Sequence, residues 1–156
     1  MENLREHLDA CSLPAALEAM GERWSFLILR AAFNRLHHFE EFQQALGIAR
    51  NILANRLGRL VEHGILAREP MPEDRRKIRY RLTDKGAALL PTMVALRQWG
   101  ERWETGVPAF PVLVDAETRR PIREVTVQAE DGRVLRRGEM VWARPEEVAS
   151  TGTGAD

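Results

Sequence analysis

The chain has 156 residues, 44% hydrophobic and 29% charged, with 23 basic side chains balanced by 23 acidic ones, the composition of one ordinary folded domain with a small appendage. No apolar run approaches the roughly 18 residues of a membrane span, and the charged N-terminus "MENLREHLDACSLP" lacks the apolar core of a secretory signal, so a cytoplasmic protein with no membrane partner is expected. The single cysteine, Cys11, excludes an internal disulfide and a Cys-based zinc site.

Residues 14–20, "PAALEAM", begin with Pro after Ser12-Leu13 and stop at Gly21, which predicts a short helix. In "ERWSFLILRAAF" (22–33) Trp24, Leu27, Ile28 and Ala31 recur at helical spacing, a second and largely buried helix. "HFEEFQQALG" (38–47) repeats the pattern with Phe39, Phe42 and Leu46, and Gly47 suits its C-terminal end. "IARNILANRLGRLVEHG" (48–64) is the most informative helix. Leu53, Leu57, Leu60 and Val61 form its inward stripe, while Asn51, Asn55 and Arg59 fall on the opposite face with Arg56 at the edge, and Glu62 is its only acid. Asn can pair bidentately with adenine and Arg with guanine, so this outward face suits base reading.

A two-stranded ribbon follows: "ILAREP" (65–70), a polar turn "MPEDRR", and "KIRYRL" (77–82), where Ile78, Tyr80 and Leu82 alternate with Lys77, Arg79 and Arg81. Arg75, Arg76 and Lys77 lie at its tip. A charge run is usually a solvated face, but Arg50 to Arg81 holds nine Lys/Arg against four Asp/Glu, an electrostatic footprint hidden by the neutral total. Thr83 is a plausible N-cap for a long helix over about 84–103, which Pro91 should kink or break. The helices from 22 to 64, the ribbon and this further helix make the order α-α-α-β-β-α, a winged helix-turn-helix: mainly α with a β wing, an α+β fold.

From 105 the grammar changes. "FPVLVDAETRRPI", "EVTVQAEDGRVL" and "EMVWARP" are short β-type runs, with Asp131-Gly132 a hairpin signal and Val125, Val127 and Ala129 on one face. The expected domains are a winged-helix DNA-binding domain over 11–104, a small β-rich C-terminal extension over 105–148, and a disordered tail over 149–156.

The motifs "LPAALEAMGERWSFLILRAAF" after Cys11, "HFEEFQQALGIARNILANRLGRLVEHGIL" and "IRYRLTDKGAALLPTMVALRQWGERW" resemble, in order and spacing over about 11–103, the HxlR-type winged-helix transcriptional regulators of bacteria, relatives of the MarR type. The resemblance implies a homodimer built through terminal helices, binding double-stranded DNA at a palindromic operator, commonly as a repressor. It places Arg50, Asn51, Asn55 and Arg56 of "GIARNILANRL" near bases or phosphates and Arg23 near a phosphate; Arg59 joins them by helical phase alone. Gly58 departs from the pattern, since Gly within a helix costs about 1 kcal/mol relative to Ala. The resemblance also implies that Cys11 senses oxidants in some members, although a lone cysteine is more often a small buried hydrophobe; Asp9 and Glu6 would raise its thiol pKa and the following helix N-terminus would lower it. Some members carry a Cys-x-x-Cys knuckle after a "PVLV"-like strand, where this chain has Asp115 and Thr118, so no metal is expected there.

Trp24, Phe26, Phe33, Trp99 and Trp103 could line a pocket for a small-molecule effector, although core and dimer packing are the commoner use of such rings. His37 and His38 have no other ligand at metal spacing, no catalytic constellation is apparent, and neither cofactor nor enzyme activity is expected. The alternative to a DNA-binding regulator is a winged-helix module for protein–protein contact. The outward Asn and Arg together favour DNA.

Overall fold

The computed structural model of the chain describes residues 11–108 and 110–148. Asp9, Glu6 and the tail at 149–156 lie outside these described residues. The chain forms two compact units that divide between Arg97 and Gln98.

The first unit comprises α1 (Ser12–Met20), α2 (Arg23–Phe33), α3 (Phe39–Leu46), α4 (Arg50–Glu62), β1 (Leu66–Pro70), β2 (Ile78–Leu82), the short α5 (Asp84–Ala87) and most of α6 (Leu90–Gly100). The expected winged helix-turn-helix order is present. Leu53, Leu57 and Leu60 of α4 are fully buried against Ile28 and Leu29 of α2, Phe42 of α3, and Ile65 and Leu66 at the head of the wing. Each such side chain contributes roughly 1.5–3 kcal/mol when fully buried. Phe42 meets Tyr80 edge to face at 6.4 Å, which ties the helical core to β2.

α2 is buried over a wider face than the expected stripe. The buried residues are Ser25, Ile28, Leu29, Ala31 and Ala32, while Trp24 and Leu27 are half-buried. The cause is that α2 packs on α3, α4 and β2, so more than one stripe is covered and the small Ser25, Ala31 and Ala32 sit where neighbours approach.

β1 and β2 pair antiparallel from Leu66↔Leu82 to Pro70↔Ile78. The far edge of β2 is also engaged: the Tyr80 N–H donates to His37 O at 2.7 Å, and the imidazole Nδ1 atoms of His37 and His38 lie 3.3 and 3.0 Å from the carbonyls of Tyr80 and Ile78. Because carbonyls only accept, both rings donate through Nδ1. The histidine pair therefore docks the wing on the helices. The preceding turn is held by Glu41, whose carboxylate accepts from the N–H groups of His37 and His38 at 2.8 and 2.9 Å; these two bonds hold its pKa below the ordinary carboxylate value.

The helix expected over 84–103 is interrupted at Ala88-Leu89. A continuous helix would require Pro91 to bond Ala87 O through an N–H it lacks; instead Pro91 falls second in α6, where that donor is not needed. Thr83 caps α5, its hydroxyl accepting from the Gly86 N–H at 3.0 Å and donating to Gly64 O at 2.7 Å. Lys85 Nζ donates to His63 O at 2.8 Å. Thr83 and Lys85 thus bond carbonyls at the C-terminal end of α4.

In the second unit the β-type runs of the sequence form only isolated bridges, Val114↔Pro121 and Gln128↔Val134, rather than strands. Side chains do much of the holding. Asp115 Oδ1 accepts from the N–H groups of Glu117 and Thr118 and from the Thr118 hydroxyl at 3.0, 2.6 and 2.8 Å, which lowers the Asp115 pKa, the Thr118 N–H contributing most. A carboxylate thereby closes the turn at Asp115 and Thr118. Asp131 organises the turn at Gly132 in the same manner, accepting from the Arg133 N–H at 3.0 Å. The Gln98 amide bridges two backbone groups, donating to Arg123 O at 3.0 Å and accepting from the Val125 N–H at 2.8 Å.

Candidate nucleic-acid interface

The start of α4 is electrostatically open. Ala49 is its N-cap and offers no side-chain acceptor, and no acid stands in the first turn, so the positive end of the helix dipole is unquenched by its own sequence. Arg50 is exposed there, its guanidinium 4.7 Å from the Phe39 ring centroid. Arg23, at the start of α2, stacks likewise over Trp24 at 4.6 Å. Both cations are orientated by an aromatic face while their N–H groups remain available to an anion.

Asn51 and Asn55 are exposed one helical turn apart, and Ala54 and Gly58 are exposed beside them. These small residues leave the centre of this face low enough for close approach by another molecule. A Cβ added at Gly58 would meet nothing within 4 Å. Gly58→Ala is accordingly expected to raise stability by about 1 kcal/mol through helix propensity, read as an upward shift in the thermal midpoint; an unchanged or lower midpoint would show that the backbone there is not ordinary exposed helix.

Arg56 and Arg59 turn away from this face. Arg56 is half-buried, its Nε 2.9 Å from Glu22 Oε1 in an ion pair that lacks hydrogen-bond geometry. Arg59 donates from Nη2 to Glu18 O at 3.4 Å, near the C-terminal end of α1 where a cation is favourable. Helical phase alone places Arg59 on the outward face and Arg56 at its edge; their long side chains instead reach back to the elbow between α1 and α2.

At the wing tip, Arg75, Arg76 and Lys77 are all exposed. Asp74 accepts at Oδ1 from the Arg76 N–H and from its Nε at 3.1 and 3.2 Å. The Arg76 N–H, then its guanidinium, with Lys77's charge added, hold Asp74 below its ordinary pKa, so it remains ionised through neutral pH. Arg76 is therefore partly neutralised, whereas Arg75 and Lys77 form no salt bridge among the described residues. Further along, Arg81 pairs with Glu69 at 3.1 Å, and Arg79 is half-buried with its Nε lacking a hydrogen-bond partner. Removing the acid by Asp74→Asn is expected to tighten binding to any duplex about 2–5-fold at low salt and to steepen the salt dependence by up to about one phosphate equivalent. A salt titration with unchanged affinity and slope would place the tip away from DNA.

Trp24, Phe26 and Phe33 pack against the hydrophobic core, whereas Trp99 and Trp103 are exposed. Cys11 is the N-cap of α1, its Sγ accepting from the Leu13 N–H at 3.4 Å. Among the described residues no three His, Cys, Asp or Glu side chains gather as metal ligands, and no helix is long and apolar enough to cross a membrane.

A helical core that presents an acid-poor helix beside a basic hairpin is the architecture of winged helix-turn-helix transcriptional regulators. The family model described as HxlR-like helix-turn-helix matches residues 19–107, more than half of the chain, and the chain belongs to that family. The HTH-type transcriptional regulator Rv3095 of Mycobacterium tuberculosis is 40% identical over 103 residues, which is 66% of this chain and 65% of that relative, so just under two thirds of the relative's length is matched. The crystal structure of PA1607, assigned as a transcription factor, superposes with a TM-score of 0.81 at 41% identity, covering 86% of this chain and 94% of that one. The reduced form of the transcriptional regulator YodB from B. subtilis superposes with a TM-score of 0.53 at 26% identity, over 62% of this chain and 96% of that one. All three are described as transcriptional regulators or transcription factors.

Proposed function

We propose that the chain acts in the cytoplasm as a homodimer that binds a palindromic operator, with α4 in the major groove. Asn51 and Asn55 read base edges, Arg50 and Arg23 hold phosphates beside them, and Arg75, Arg76 and Lys77 place the wing on the backbone. Arg56 and Arg59 serve the interface from behind, fixing α4 to the α1–α2 elbow. The observation that carries this reading is the exposed Asn51–Asn55 stripe at the acid-free start of α4. Local charge rather than the neutral total governs phosphate binding, so net neutrality is no obstacle. The working domain boundaries are 11–104 for DNA binding and dimerisation and 105–148 for the extension. Leu13 and Leu17 of α1 and Leu90 and Leu96 of α6 are exposed and supply apolar surface for pairing through terminal helices. The test is a gel shift and footprint on the DNA upstream of the protein's own gene, with Asn51→Ala plus Asn55→Ala as the discriminating variant. Two protected half-sites about one helical turn apart are expected; no protection, or protection unchanged in the variant, would sink the reading.

Response to oxidants through Cys11 is a further part of the proposal, supported by the placement of its thiol at the start of α1 and by the likeness to HypR, a protein described as a redox regulator. With Cys11 the only cysteine, an oxidised homodimer would be linked Cys11 to Cys11. A band of twice the chain's mass on a non-reducing gel after oxidant treatment, lost on Cys11→Ser, is expected; a monomer band at every oxidant dose would remove this role. A small-molecule effector fits only outside the helical core, since Trp24, Phe26 and Phe33 are occupied in packing.

A further inference from the structure

The second unit is ordered without a core of its own. None of its described residues is buried, and beyond Thr105 only Val114, Ala129 and Leu135 reach half-burial. Its large apolar side chains stand in the open: Phe110 is 93% exposed, Val141 88%, Trp142 97%, Trp103 65% and Trp99 52%. Ordering each residue costs backbone entropy, and surface hydrogen bonds such as those of Asp115, Asp131 and Gln98 return little of it. Two isolated bridges do not offset that cost. Apolar burial has to be supplied from elsewhere.

The chemistry of the surface indicates what supplies it. From Gln98 onward the sequence has eight Lys/Arg against eleven Asp/Glu, which disfavours nucleic acid. The charges are interleaved and locally paired, Arg133 with Asp131 at 2.8 Å and Arg102 with Glu124 at 3.6 Å, so two identical faces would not repel one another. That self-complementarity is what a two-fold contact between like chains demands. The area is also sufficient. An aromatic side chain buries roughly 150–250 Å², so Trp99, Trp103, Phe110 and Trp142 offer on the order of 500 Å² per chain, and two copies reach the roughly 1,000 Å² required of a specific interface. Exposed Trp, Phe and Met, here including Met140, are the residues enriched at the centre of such contacts.

We propose that Phe110, Val141 and Trp142, with Trp99 and Trp103, form a surface that closes against a second copy of the chain, so that the extension completes its hydrophobic core only between subunits. The proposal deepens the homodimer reading and rests on it, but adds an interface separate from the exposed leucines of α1 and α6.

The test uses the full chain in purified form, which excludes other proteins as the cover. Hydrogen exchange followed across a dilution series should show the amides of 121–142 protected in the dimer and released as it dissociates. Phe110→Ser plus Trp142→Ser should raise the dimer dissociation constant at least about 100-fold, since central aromatics dominate such interfaces, while the melting of the first unit stays within a few degrees. An unchanged dissociation constant overturns the proposal. So do exchange without protection in a dimer, which would mean another occupant or none, and protection that persists on dilution, which would mean that the chain covers its own surface. If the double variant does not fold, exchange in the unaltered chain decides alone. Failure here is distinguishable from failure of the operator reading, because that reading is tested by Asn51 and Asn55, and a dimer held through α1 and α6 would still bind DNA.

Discussion

Replacing Asn51 and Asn55 together with Ala is expected to lower affinity for the operator by about 10²- to 10³-fold while leaving binding to unrelated duplex nearly unchanged. Each bidentate Asn–adenine pair is worth about 1–3 kcal/mol of discrimination, and two in one helix face act on neighbouring base pairs. Neither side chain carries charge, so the slope of affinity against salt should not move. Nor should the fold suffer: both residues are exposed, and Ala is a better helix former than Asn by a few tenths of a kcal/mol. Arg56→Ala behaves differently. It breaks the 2.9 Å ion pair with Glu22 and leaves a hole beside the α1–α2 elbow, so it should cost stability as well as affinity. Arg50→Ala should reduce binding to every sequence and flatten the salt slope by about one. Competitive gel shifts against unrelated DNA, performed at several salt concentrations, separate these cases. If the Asn pair were dispensable for the ratio of specific to non-specific binding, α4 would not be reading bases.

Which parts of this site were legible in the sequence follows from how local the governing physics is. The stripe Leu53, Leu57, Leu60 on α4 is a periodic signal with one buried side, and all three are fully buried; the exposed positions of Asn51 and Asn55 follow from the same rotation. Side-chain direction is less local. By phase Arg59 lies on the outward face and Arg56 at its edge, but guanidiniums on long stems reach carboxylates and helix C-termini several ångströms away, and neither Glu22 nor the Glu18 carbonyl announces itself as their partner. α2 shows the converse limit: its small Ser25 and Ala32 are buried by neighbours from three elements, so one apolar stripe does not describe it. His37 and His38 gave no metal spacing, and their bonds to β2 carbonyls some forty positions away have no sequence signature. In the extension, alternation such as Val125-Thr126-Val127 suggests strands, yet without a partner strand or a buried face the runs remain extended chain pinned by Asp115, Asp131 and Gln98.

Gly86→Ala is expected to be the most damaging single methyl that can be added to the winged-helix unit. The backbone torsion of Gly86 is not the reason, since it is not in the left-handed region; the space is. A Cβ there would sit far inside contact distance of Ile65 O, and 3.1 Å from Leu82 Cδ2. Leu82 could adjust by a rotamer, but the Ile65 carbonyl is backbone and already engaged, accepting from the Thr83 N–H at 3.2 Å. Moving it would drag the buried Ile65 and Leu66, the end of α4 and the start of β1 together. Overpacking of this kind costs about 1–3 kcal/mol and more where backbone must shift, so a loss of about 3 kcal/mol and a midpoint lower by about 10 °C or more are expected. Operator binding should fall in parallel at physiological temperature, because the wing and the reading helix meet at this junction. Gly58→Ala, the same chemical change within α4 and in open space, is the internal control: thermal unfolding of the two variants should move in opposite directions, and a Gly86→Ala protein that melts with the unaltered chain would show that the "TDKG" turn does not clamp the end of α4.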